Sequence, residues 1–151
     1  MVPVSSPRTN APRLAFCARS TARGGVDGAW WPTSTNLSAQ LPDLVSILGL
    51  TIGEVRRVVY DPSRWPPTPP RIIKGSNAIS VDPYTLVASD TIYLIGTHSR
   101  DAVLYVIPPK SAVAVVDHVL AAVSEATGPM NAFVLRHLLE HFTTTAGQPA
   151  R

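Results

Sequence analysis

The stretch that decides the fold is "TIYLIGTHSRDAVLYVIPP", Thr91 to Pro109. It holds two short apolar runs, residues 91–97 and 102–107, separated by a polar turn. Runs of this length, rich in β-branched and aromatic side chains, read as paired strands. The second run, "AVLYVI", is apolar at consecutive positions. Alternate residues of a strand face opposite sides, so this run needs cover on both and belongs centrally in a sheet.

More strands precede it. "RIIKGSNAIS" (71–80) reads as a hairpin turning at Gly75-Ser76-Asn77, and "EVRRVVY" (54–60) as a further strand. "DPSRWPPTPPR" joins them, with five prolines between Pro62 and Pro70. It reads as a stiff connection of polyproline II character, pinned by Trp65. "RLAFCAR" (13–19) sets Leu14 and Phe16 against Arg13, Cys17 and Arg19, which fits a half-buried strand.

Helical spacing appears in three places. Leu37, Leu41, Leu44, Val45 and Leu48 make one face, with Thr35 or Asn36 as its cap. Pro42 inside that segment points to a shifted register or a start nearer the proline, and Gly49 and Gly53 to its end. Val116, Val119, Leu120 and Val123 follow Ser111 as a cap, and "TGP" stops that helix. Asn131 opens a last one with Leu135, Leu138, Leu139 and Phe142.

The order of elements predicts an α+β fold: an antiparallel sheet of about five strands with helices packed mainly on one face. A small β-barrel with appended helices is the alternative. The expected organisation is a disordered basic tail (1–12), one α+β domain (13–127), a C-terminal helix docking on it (128–143) and a disordered tail (144–151). At 151 residues, 45% hydrophobic and 15% charged, the chain can bury one ordinary core.

Composition narrows the function classes. The net charge is +3, with eleven Arg and two Lys, a modest field for a nucleic-acid protein. The single cysteine, Cys17, excludes an internal disulfide and a Cys-rich zinc site. No apolar run approaches the roughly 20 residues of a membrane span, and "MVPVSSPRTNAPR" lacks the apolar core of a signal peptide. A cytoplasmic protein with no membrane partner is expected.

Several motifs invite chemistry. "HLLEH", His137 to His141, matches the H-x-x-E-H pattern in which two histidines one helical turn apart hold zinc. A catalytic zinc needs a third protein ligand, and no acid follows His141. The histidines therefore read as the border of a docking helix, and no metal site is expected. His98 reads as a turn residue and His118 as a helix-boundary histidine. Cys17 has no histidine near it in sequence to act as a base and reads as a buried thiol. There is no G-x-S-x-G, P-loop or G-x-G-x-x-G, so no cofactor is expected.

"GGVDGAWWP", Gly24 to Pro32, gives the one local hint of a site. Asp27-Gly28 reads as a turn, with Asp bonding its own backbone and Gly supplying positive φ. Trp30 and Trp31 then point to opposite sides of an extended segment, one into the core and one toward a surface. Arg57, Tyr60, Arg64 and Trp65 lie close in sequence to further basic and aromatic residues, an interleaving that single-stranded nucleic acid favours. The candidate binding residues are Asp27, Trp30, Trp31, Arg57, Tyr60, Arg64 and Trp65.

"GGVDGAWWPTSTNLSAQLPDLVSIL", "VRRVVYDPSRW", "PPR" and "LYVIPP" resemble a family of small actinobacterial proteins known only as a domain of unknown function. The resemblance runs over roughly residues 13–127 and leaves out the last helix with "HLLEH". It implies an actinobacterial origin and a single domain, and it supplies no reaction. The expected function is a binding or regulatory module without evident catalysis, its partner a protein or small ligand. Two alternatives stand beside it: a nucleic-acid binder using the Arg/Trp surface, and an enzyme built around Asp27, Asp61 or Arg57 and the Trp pair.

Overall fold

A computed structural model describes residues 13–147. The expected basic tail, 1–12, and the end of the C-terminal tail, 148–151, lie outside the described residues. A seven-stranded mixed sheet forms the centre. Its strands are β1 (Leu14–Phe16), β3 (Gly28–Trp30), β4 (Val55–Tyr60), β5 (Arg71–Lys74), β6 (Asn77–Pro83), β7 (Thr91–Gly96) and β8 (Asp101–Val106). Their order across the sheet is β1-β3-β8-β7-β4-β6-β5. A separate two-stranded ribbon pairs β2 (Gly25–Val26) with β9 (Met130–Asn131).

The α+β expectation holds, and the sheet is open at β1 and β5 rather than closed into a barrel. Three features differ from the expectation. The sheet has seven strands instead of about five, and β3 runs parallel to β8 and β4 parallel to β6. The helices also cover both faces.

Helix α1 (Leu37–Ile52) packs on one face, burying Leu37, Leu41, Leu44, Val45, Leu48 and Ile52 against Val58, Ile79, Val81, Ile92, Leu94 and Leu104. Helix α2 (Val113–Ser124) takes the other, with Val115, Val116, Val119 and Val123 against Ala15, Ala29, Val103 and Tyr105. Helix α3 (Ala132–Gly147) packs beside α2 and joins this second core through Leu135. Strand β8 feeds both layers: Ala102 and Leu104 turn one way, Val103 and Tyr105 the other. That is the pattern its unbroken apolar run demands.

Helix α1 continues through Pro42, and the Asn36 side chain caps it by accepting from the Ala39 N–H. An interior proline costs about 3 kcal/mol. Burial of six apolar side chains, each contributing about 1.5–3 kcal/mol, outweighs that cost and keeps the register. The helix passes Gly49 and ends at Gly53, whose φ of 81° and ψ of −178° lie in a region open essentially to glycine alone. Ser111 does not cap α2; the N-cap is Ala112, with no side-chain bond. Helix α3 continues to Gly147, past the expected end at residue 143. In β1 the buried residue is Ala15, while Phe16 is exposed, because β1 is a sheet edge and α2 covers only the Ala15 side.

Candidate functional site

The "VDGAWW" segment spans the short strand β3, and its two ends differ in kind. At the start, Asp27 exchanges backbone hydrogen bonds and side-chain contacts with β8. The Asp27 N–H donates to the Val103 carbonyl at 2.7 Å, and the Val103 N–H donates to Asp27 Oδ2 at 2.8 Å. Arg19 donates its Nε to the same carboxylate at 3.0 Å and an Nη to Asp101 Oδ1 at 2.8 Å. Asp27 thus fastens β3 to β8 and does not fold back on its own backbone as the sequence suggests. Gly28 is not at positive φ either. A Cβ on Gly28 would lie 2.1 Å from the Ala15 carbonyl oxygen, so glycine is required for β1 to approach β3.

At the other end the tryptophans diverge, as alternation requires. Trp30 enters the α1-side core and stacks on Trp65, ring centroids 6.0 Å apart and planes inclined by 22°. Trp31 packs on the opposite core. The Arg13 guanidinium lies 4.2 Å above its ring, and its Nε1 donates to the Pro108 carbonyl at 3.1 Å. Trp31 therefore braces the chain leaving β8.

A cleft of about 500 Å³ opens where β3, β4 and β8 finish and β7 begins. Three connecting segments supply most of its wall. Thr33–Thr35 lead from β3 into α1, Arg64 and Trp65 follow β4, and Pro108–Lys110 lead from β8 toward α2; Val106 and Asp90 complete it. The position follows from topology. The parallel neighbours β3 and β8 send their chains to helices on opposite faces, so the two connections part and leave a crevice at the strands' carboxyl ends.

The cleft's polar groups are partly engaged. Arg64 Nε donates to Ser89 Oγ at 3.1 Å, and neither Arg64 nor Lys110 forms an ion pair among the described residues. Asp90 is buried, and Arg136 of α3 grips it at both oxygens, Nε to Oδ2 at 2.8 Å and Nη2 to Oδ1 at 2.7 Å. Trp65 is buried as well, and its indole Nε1 has no hydrogen-bond partner among the described residues. A buried donor without a partner costs about 1–3 kcal/mol.

A protein-family model described as a family of unknown function, DUF5994, matches residues 13–123. The chain belongs to that family. No curated protein and no solved structure matches it. The DUF5994 match takes in every residue that lines the cleft, whereas α3, with Arg136 and the "HLLEH" motif, lies beyond it.

Within this DUF5994 chain the sequence-named residues separate. Arg64 and Trp65 line the cleft, and Trp30 and Tyr60 lie in the core with Trp65. Asp27 and Trp31 hold β3 and the Pro108 connection, and Arg57 pairs with Asp82 across the sheet at 2.8 Å. The aromatics on which a nucleic acid would stack are thus inside or half-inside: Trp30, Tyr60 and Trp65 are buried and Trp31 is half-buried.

The carboxylates that an active site around the Trp pair would use are committed. Burial pushes the Asp61 pKa upward, but hydrogen bonds from the Leu86 and Ser63 N–H groups and the Ser63 hydroxyl outweigh it, with Arg64 adding to them. The result holds this carboxyl below the usual range. Cys17 is pushed up to about 11 by burial and by Asp27, so it is a thiol at neutral pH. His137 and His141 are exposed on α3, and no group of three or more His, Cys, Asp or Glu is placed to share a metal ion among the described residues. No described helix is long and apolar enough to cross a membrane.

Sequence reading missed Asp90, Lys110, Thr33–Thr35 and the Pro108-Pro109 pair. The β7–β8 pairing sets Asp90 beside the chain that leads to Lys110, and the pairing of β3 with β8 brings Thr33–Thr35 to them.

Proposed function

We propose that this chain is a small-ligand-binding module whose site is the cleft between the β3–α1 and β8–α2 connections. The observation that carries the reading is the cleft's position at a topological switch point, the place where open sheets with parallel strands bind ligands. Its wall supports the same reading, joining an apolar surface of Trp65, Val106, Pro108 and Pro109 to a few polar groups from separate elements.

The test uses the neutral fluorescent probe N-phenyl-1-naphthylamine. Saturable binding with one site per chain is expected, and Thr35→Trp, which fills the cleft from an exposed wall position, abolishes it without lowering the melting temperature. Absence of saturable binding, or binding unchanged by Thr35→Trp, removes the site.

A further inference from the structure

The geometry points to an organic anion as the occupant of this cleft, an apolar body carrying a carboxylate or similar oxyanion, with Arg136 on the remote helix α3 setting that preference. The inference rests on the cleft being the binding site and adds the charge of what it takes.

Three features set the charge that the cleft presents. First, Arg64 and Lys110 stand in its wall without an ion pair among the described residues. Second, two helices begin beside it: α1 starts at Leu37, two residues after Thr35, and α2 at Val113, three residues after Lys110. Helix N-termini carry partial positive charge and unpaired N–H groups, and α2 has no side-chain cap to satisfy its own. Third, the one carboxylate in the wall, Asp90, is neutralised by a two-point pair with Arg136, its side chain only 6% exposed.

The third feature supplies the mechanism of selectivity. A free Asp90 carboxylate would repel an anion and hold a cation. With both oxygens held by Arg136, the site presents the field of Arg64 and Lys110 instead. The apolar share of the wall, from Trp65, Val106, Pro108 and Pro109, favours an organic acid over a bare inorganic anion, since apolar area must be covered as the charge is met. Linkage makes the effect reciprocal: anion binding strengthens the docking of α3, and undocking α3 weakens the anion.

The experiment compares 2-naphthoate with its neutral isostere 2-naphthamide and with inorganic phosphate, each displacing N-phenyl-1-naphthylamine from the full chain. Naphthoate should displace at a concentration at least tenfold lower than naphthamide, and phosphate should not compete at equal concentration. Arg136→Gln should cut the naphthoate preference about tenfold or more. Asp90→Asn should raise it, and Asp90→Asn with Arg136→Gln should restore it to near the wild-type ratio. That opposition of sign separates charge control from a general loss of structure, and the neutral double variant gives a reading even if Arg136→Gln alone fails to fold. Equal displacement by naphthoate and naphthamide, or a ratio that Asp90→Asn leaves unmoved, overturns the inference while the cleft stands as a site. If phosphate competes as well as naphthoate, the organic class is wrong. If the neutral probe itself does not bind, the underlying site reading is what has failed.

Discussion

The two ends of strand β3 lie three residues apart and are built on opposite principles. At Asp27 every charged group is answered: the carboxylate takes one backbone N–H and one guanidinium, and that guanidinium also takes Asp101. Beyond Trp30, charge is left over, in Arg64 and Lys110, which form no ion pair among the described residues. A saturated network contributes to stability and has nothing left for a ligand. An unsaturated one contributes little to stability and is what a ligand can use.

The comparison can be broken most severely at the closed end. Gly28→Ala places a methyl group against the Ala15 carbonyl, and backbone offers no rotamer by which to yield. A loss of more than about 3 kcal/mol is expected, read as a lower urea midpoint. An unchanged midpoint would mean that β1 can shift freely and that the close approach is not part of the fold.

Next in size is a contrast of three substitutions, one at the closed end and two at the cleft. Asp27→Asn keeps the shape but removes the charge that Arg19 faces, and should cost about 2 kcal/mol. Arg64→Ala and Lys110→Ala should each change stability by less than about 0.5 kcal/mol. If the cleft substitutions destabilise as much as Asp27→Asn, the distinction between the two ends collapses. Calorimetric melts of the three variants under one buffer decide it.

A third test uses acid. Asp61 lies at the cleft end yet is saturated, through Ser63 and Leu86. Its pKa in the folded chain is lowered from the ordinary 3.8. The stabilisation it gives is therefore complete above that value and is lost as pH falls through the lower folded pKa. Stability should fall below about pH 4, and Asp61→Asn should flatten that part of the profile while costing about 1–3 kcal/mol at neutral pH. An identical acid limb in the variant would show that other carboxylates govern it.

How far the sequence carried the fold depends on what each residue answers to. Strand β8 was legible because its apolar run needs cover on both faces, and α1 because its spacing survives Pro42. The count and direction of strands were not legible. β3 is only three residues long, and its parallel partner lies more than seventy residues away. The same distance hid the site. Trp65 and Arg64 drew notice by residue type, whereas Asp90 and Lys110 look ordinary until the end of β8 is set between the start of β7 and the chain leaving β3. Asp27 and Gly28 drew notice for the wrong reason: they read as a turn, and they act through contacts with Val103 and Ala15. Residue type announced that the segment matters, and tertiary pairing decided how.

The smallest effect tests whether the closed end is as relaxed as its hydrogen bonds imply. The β7–β8 turn next to Asp101 holds two residues other than glycine at positive φ, His98 at 61° and Ser99 at 62°. Left-handed backbone costs such residues about 1 kcal/mol each, and Asn-Gly is the pair best suited to this hairpin geometry. Replacing His98 with Asn and Ser99 with Gly should stabilise the chain by about 1 kcal/mol, part of the relief being lost to the freer unfolded chain. The urea midpoint should rise with its slope unchanged, and binding of the neutral probe should not move. A lower midpoint would mean that the native side chains make contacts worth more than the strain. A change in probe binding would mean that the two ends of the sheet are coupled, and the separation between a closed end and an open one would have to be given up.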